Sequence, residues 1–253
     1  MIGNIVAGVL GAPVSLPPVS GYKLWLDGKD SAVFSFSSGS VVSEWRDKSG
    51  NAYNFSQGTV ANQPTRGSDG LVDFDGSNDQ LDAASKFMNN IHNGGSNTVF
   101  AILRLDADLD GSYLDSNNLG SSGIGFNFAY EAANDRYLTG INNGTSGQNV
   151  VVNFTANSSV AINTTYCQIQ RIDADNATAA NRHYFYINTG AAVQNNTATN
   201  AVSASNSTLN PRMGNGGLGF WNGKIGEIIW YDSDLSQANR ESVRDWLISK
   251  WSI

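Results

Sequence analysis

An all-β fold, a sandwich or barrel with one C-terminal helix, is predicted by three features of the sequence. Short apolar or alternating runs recur between Gly/Asn/Ser/Asp clusters. Charged residues make up 15% of the chain, below the roughly 25% of ordinary globular proteins. Glycine supplies 27 of 253 residues, so small polar loops rather than charged helices cover the molecule. Only one stretch, beyond Ser236, has the apolar spacing of a helix.

In chain order, the first element is an arm. Residues 1–20, MIGNIVAGVLGAPVSLPPVS, are apolar, carry no basic residue ahead of the apolar run and end at Pro17-Pro18. This fits neither a signal peptide nor a membrane anchor. It reads as a segment that docks on other subunits through Ile2, Ile5, Val6, Val9, Leu10, Val14 and Leu16, with folding back onto its own domain as the alternative. Residues 21–253 show no repeat and no composition shift, and form one domain.

Strands are expected over Lys23–Leu26, Val41–Arg46, Leu71–Phe74, Thr98–Leu105, Ile124–Tyr130, Gln148–Phe154, Tyr166–Ile172, Arg182–Ile187 and Ile225–Tyr231. In the Ile124 run, large residues alternate with small or polar ones, as one buried face requires. The Thr98 run is apolar throughout and should be a central strand covered on both sides. Asp47-Lys-Ser-Gly-Asn51 and Asp75-Gly-Ser-Asn-Asp79 have the chemistry of tight turns. The Asn/Ser/Thr-rich stretches at 142–165, around the Gln148 run, and at 188–210 read as loops. In the terminal helix Ser236 is the cap, and Val243, Trp246, Leu247 and Lys250 share one face, which should pack Trp246 and Leu247 against the sandwich with the charged residues outside. Trp25, Trp45, Trp230 and Trp246 are assigned to the core.

Charge and chemistry-bearing residues narrow the function. A net charge of −7 without a basic cluster provides no footprint for nucleic acid or for an anionic membrane. The single cysteine, Cys167, makes no bridge and reads as a buried strand thiol, and the two histidines, His92 and His183, are not spaced as a metal pair. Asp106, Asp108 and Asp110, followed by Gly111, resemble the first half of a calcium loop, although position twelve is Asn117. An acidic hairpin loop is the competing reading, and calcium is the one cofactor suggested. Gly214-Asn-Gly-Gly-Leu-Gly219 matches a dinucleotide fingerprint in letters only, since a strand and no helix follows it. Carbohydrate recognition calls for aromatic rings beside amide-rich loops, which points to Tyr113, Trp221, Asn222 and Asn215, with core packing as the alternative for the rings. Glu227, within an apolar strand, either faces solvent or pairs with Arg240 or Arg244.

Three segments together carry a resemblance: Tyr22-Lys-Leu-Trp-Leu-Asp27; Val42-Ser-Glu-Trp-Arg-Asp-Lys-Ser-Gly-Asn51 with Val72-Asp-Phe-Asp-Gly-Ser-Asn-Asp79; and Asn222-Gly-Lys-Ile-Gly-Glu-Ile-Ile-Trp-Tyr-Asp232 leading into the helix. Their order resembles concanavalin A-like, laminin G-like jelly-roll domains found in bacterial surface proteins and in tailed-phage structural proteins. The resemblance implies a jelly-roll antiparallel β-sandwich. Sandwiches of this type also host glycosidases with a Glu-x-Asp-x-x-Glu strand. Here the only glutamates are 44, 131, 227 and 241, and none has a carboxylate two positions along its strand. The expectation is therefore a non-enzymatic virion structural protein, a head decoration, head fibre or tail fibre. It would be made in the host cytoplasm without a signal peptide, form a homo-oligomer and be anchored to virion subunits by its arm. Host-surface glycan is a further partner. A free-standing lectin-type carbohydrate-binding domain is the alternative, and a glycoside hydrolase the third reading.

Overall fold

Residues 16–117 and 123–253 are described by the computed structural model, and among them eighteen strands and one α-helix form. The N-terminal strands are β1 (Leu24–Asp27), β2 (Phe34–Ser38), β3 (Val41–Trp45), β4 (Phe55–Ser56), β5 (Thr65–Arg66), β6 (Val72–Asp75) and β7 (Leu81–Ala83). Long strands follow: β8 (Ser96–Leu105), β9 (Gly111–Asp115), β10 (Ile124–Glu131), β11 (Arg136–Asn143), β12 (Asn149–Phe154), β13 (Thr165–Asp173) and β14 (His183–Ile187). The short β15 (Arg212–Met213), β16 (Asn215–Gly216) and β17 (Gly219–Phe220) lead into β18 (Asn222–Tyr231) and α1 (Gln237–Trp251).

Two antiparallel sheets face each other. The first runs β14-β13-β8-β18-β1. The second runs β12-β11-β10-β9-β15-β7-β4-β3-β2. The pair β5 and β6 joins them, from β3 to the start of β18. This is the expected all-β sandwich with a single C-terminal helix.

Alternation decides what each face buries. On β8, Val99, Ala101 and Leu103 enter the core between the sheets, while Phe100 and Ile102 point the other way. That second face is covered by α1, whose Val243, Leu247 and Trp251 are buried on it, so the Thr98 run is central and covered on both sides. Trp25, Trp45 and Trp230 are core residues, whereas Trp246 is only half-buried at the helix edge. The helix starts where expected, with Ser236 Oγ accepting from the Asn239 amide at 3.3 Å. Both predicted turns close through their aspartates: Asp47 accepts from the Ser49 amide and Asp75 from the Ser77 amide, each at 2.8 Å.

Glu227 has neither of the environments the sequence suggested. A register shift on β18 between Ile225 and Glu227 turns its side chain out of the sandwich and under the helix, where it is 1% exposed. There the carboxylate accepts from Trp25 Nε1 and Trp251 Nε1, both at 2.7 Å, and from Lys250 Nζ at 2.9 Å. The cation is thus Lys250, not Arg240 or Arg244. Its ammonium also reaches the buried Asp27 at 2.7 Å, and Lys48 reaches Asp27 from the other side at 3.0 Å. Gly226 makes room for this: a Cβ there would lie 2.7 Å from the Trp251 ring. Burial pushes Glu227 above the usual carboxylate range, opposed by Lys250. Burial alone would lower the Lys48 ammonium, yet its bonds to Asp30 and Asp27 raise it on balance.

The arm residues Ile2, Ile5, Val6, Val9, Leu10 and Val14 lie outside the described residues. Leu16 is 65% exposed, and the chain joins the fold at Val19, whose carbonyl accepts from the Tyr231 hydroxyl at 2.8 Å. Among the described residues no helix is long and apolar enough to cross a membrane.

Removing one ion from a buried cluster leaves its partners uncompensated, a loss of roughly 3–5 kcal/mol. Lys250→Met should cost about 3 kcal/mol in urea unfolding. Adding Glu227→Gln should recover part of that loss, because it removes the stranded charge. Two purely additive losses would show that the pair is not coupled.

Candidate functional site

Residues in register on neighbouring antiparallel strands point to the same face. The pairings of the second sheet therefore put Ser35, Glu44, Ser56, Asp82, Arg212, Asp115 and Asn127 in one row across β2, β3, β4, β7, β15, β9 and β10. Their strand neighbours Phe34, Trp45, Phe55, Leu81, Met213, Leu114 and Phe128 belong to the core. The polar row consequently lies on the outer face of the sheet, opposite to the layer carrying α1.

At the middle of the row is a cleft of about 300 Å³ lined by Asp82, Asp115, Thr208, Leu209, Asn210 and Arg212. Arg212 Nε donates to Asp82 Oδ1 at 2.5 Å, and Gln80 Nε2 donates to Asp82 Oδ2 at 3.1 Å. Asn215 Nδ2 donates to Gln80 Oε1 at 2.9 Å, tying the β16 strand to this wall. Asn210 is held by donation from its Nδ2 to the Ala83 carbonyl at 2.8 Å. Leu209, 40% exposed, is the apolar surface of the cleft.

Asp115 is the buried member. The glycine-rich hairpin of β16 and β17 folds over it, with the Gly217 amide donating to Oδ2 at 3.2 Å and the Leu218 amide to Ser112 Oγ at 3.1 Å. Only glycine permits this approach at position 216, where a Cβ would lie 2.5 Å from the Asp115 Cβ. The Asn117 amide donates to Oδ1 at 2.7 Å and Asn127 Nδ2 donates to Oδ2. Burial nevertheless outweighs these bonds and the attraction of Arg212, and pushes Asp115 up to about 7. Near neutrality this carboxyl is divided between its charged and neutral forms. Beside it, the Asn117 side-chain amide and Asn127 Oδ1 are buried without a hydrogen-bond partner among the described residues.

The residues singled out from sequence fall differently. Tyr113 and Trp221 are fully buried, edge-to-face at 5.8 Å beneath the hairpin, so neither ring is open to a sugar. Asn215 borders the cleft through Gln80, whereas Asn222 donates to the Asp75 carbonyl at the β6–β18 pair. Asp106, Asp108 and Asp110 do not converge: they accept from Arg104, from the Tyr130 hydroxyl and from the Ala132 amide. Gly111 opens strand β9 instead of turning a calcium loop. Among the described residues no three His, Cys, Asp or Glu side chains are grouped to hold a metal ion. His92, His183 and Cys167 are buried, and burial lowers the imidazoles to about 4 and 3 and raises the thiol. Sequence reading missed Asp82, Asp115, Asn210 and Arg212. Their signal is the polar residue next to a core residue in Leu81-Asp82, Leu114-Asp115 and Arg212-Met213, which only the cross-strand register assembles into one site.

No family model matches the sequence, and no curated protein matches it. Solved structures do share the fold. Trypanosoma rangeli sialidase in complex with sialic acid superposes with a TM-score of 0.56 at 11% identity, over 91% of this chain and 33% of that one. The binding domain of botulinum neurotoxin DC in complex with SialylT gives a TM-score of 0.60 at 11% identity, over 90% of this chain and 52% of that one. The K499G mutant of NanB sialidase from Streptococcus pneumoniae gives 0.51 at 15% identity, over 67% of this chain and 26% of that one. The chain spans about a third or less of the length of these sialidases and about half of the toxin domain. At these identities the likeness is one of fold, and it fits the jelly-roll expectation. The expectation of a non-enzymatic protein is overturned, because enzymes, the sialidases, are prominent among the proteins that share this architecture.

Proposed function

We propose that the chain is a carbohydrate-binding β-sandwich that holds a neutral glycan in the cleft of Asp82, Asp115 and Arg212. The observation that carries this reading is the polar row itself, which sets acceptors, donors and an apolar patch around one opening. A sugar needs partners of both kinds for its hydroxyls and an apolar surface for its C–H face. Asp82 and the Asn210 amide accept, Arg212 donates, and Leu209 meets the ring face, while the buried Asp115 closes the inner end of the cleft. Arg212 is already paired with Asp82, which disfavours an acidic sugar here. Proteins of the same fold hold sialic acid and SialylT, which supports carbohydrate as the class of ligand, and the Arg212–Asp82 pairing is what argues for a neutral one.

Hydrolysis of a glycosidic bond is a second reading, favoured by one observation. Asp82 and Asp115 lie in a single row with opposite environments, one paired with arginine and the other keeping a proton near neutrality. That difference is what an acid and a base or nucleophile require. Display of the sandwich on a phage particle through residues 1–20 rests on the sequence alone.

Arg212 and Asp82 are each 38% exposed, so Arg212→Ala should change stability by no more than about 1 kcal/mol. The same change should weaken binding of the best neutral oligosaccharide from a glycan panel by about tenfold, roughly 1.4 kcal/mol. Unchanged affinity on a folded variant would remove the cleft from consideration. The hydrolytic reading is checked with a panel of aryl glycosides, where release by the native chain should be lost in Asp115→Asn.

Asp115 also sets a pH dependence. Its proton is held to about pH 7 in the native state, against an ordinary value of 3.8. Between these values the native state binds the extra proton, so stability falls as pH rises, by up to about 1.4 kcal/mol per pH unit. In urea titrations from pH 4 to 8, Asp115→Asn should lack this component of the decline. A wild-type-minus-variant difference that stays flat across the window would contradict the assignment.

A further inference from the structure

We propose a second binding site, for a small hydroxylated carboxylate of the sugar-acid class, between α1 and strand β14 on the opposite layer from the cleft. A cavity of about 380 Å³ opens there, with Ile169 and Tyr186 as its floor, the 189–192 segment as one wall and Arg240, Glu241 and Arg244 as the other. Register explains the floor: Ile169 on β13 and Tyr186 on β14 are direct cross-strand partners, so both side chains rise on the helix side of the sheet. Four-residue spacing explains the wall, since Arg240 and Arg244 lie on one face of α1.

The two arginines are largely buried, their side chains 14% and 18% exposed, yet they are sparsely partnered. Arg240 uses one terminal nitrogen on Asp234 and on the Leu235 carbonyl, and Arg244 uses Nε on Asp245 at 2.8 Å. Each guanidinium has five N–H donors. The remaining donors have no protein acceptor among the described residues and belong to groups that line the cavity. A carboxylate is the ligand group that takes such donors in pairs.

The rest of the lining specifies more than an anion. Tyr186 gives a half-buried ring with the Arg240 guanidinium 5.7 Å over its face, so the pocket presents an aromatic and a cationic surface side by side. Glu241, steadied by Gln237 Nε2 at 2.9 Å, needs a donor opposite it, which hydroxyls supply and a bare carboxylate does not. A neutral sugar leaves the arginines unanswered, and an apolar acid leaves Glu241 unanswered. A monosaccharide acid answers both. This site is independent of the glycan cleft, and either can fail without the other.

The test is a titration of the full chain with sodium glucuronate, glucose and sodium acetate as separate probes, read by backbone amide shifts. Glucuronate should move the 189–192 amides. Arg244→Gln and, separately, Tyr186→Leu should weaken that response about tenfold or more, while Arg212→Ala in the cleft leaves it intact. Glucose and acetate should give little response at equal concentration. The proposal is overturned if glucuronate leaves 189–192 unmoved, if acetate matches it, or if the response survives in both folded pocket variants.

Discussion

The fold is organised around a carboxylate taken out of water. Glu227 sits at a bulge on a central strand, beneath the only α-helix among the described residues, and its two oxygens are shared between two indoles and Lys250. A single unpaired charge at that depth would cost several kcal/mol, and Lys250 offsets that cost. Since Lys250 also bonds Asp27, and Asp27 bonds Lys48, the cluster ties β18, β1, the segment after β3 and the C-terminal helix into one unit. To the packing of Val243, Leu247 and Trp251, the ion pairs of Lys250 add a polar attachment at the last turn of α1.

That attachment has a consequence for where ligands meet the protein. With α1 covering the outside of the first sheet, the exposed broad face belongs to the second sheet, and it is there that the polar row crosses seven strands. The glycine-rich hairpin then decides how much of the row is open. It buries Asp115 and Asn127 at one end while Asp82 and Arg212 remain reachable, producing one cleft with a strong gradient of solvent access. A flat sheet face becomes a site because backbone without side chains closes over part of it.

Much of this architecture was legible in the sequence. The short alternating or continuously apolar runs located β8, β10, β13 and β18, and the Ser236 cap placed α1 to within a residue. Strand β11 was not, since Thr139, Gly140 and Asn142 look like turn residues and become strand only by lying between β10 and β12. The site was hidden for a related reason. Tyr113 and Trp221 stand as rings near polar loops in the sequence, but they are the buried support of the hairpin, and the side chains that line the cleft come from three separated segments. The helix stripe implies that charged residues lie outside, whereas the Lys250 side chain is 14% exposed and bonds Asp27 and Glu227, a seat that depends on a bulge composition does not reveal.

The most direct test of the central claim, that the outer polar row is where this protein meets carbohydrate, is an amide-shift map of the full chain with the strongest neutral oligosaccharide from a panel. The expected result is a contiguous set of shifts over residues 208–217 and at Asp82 and Asp115. No shift with any member of the panel, or shifts that gather away from this row, would contradict it.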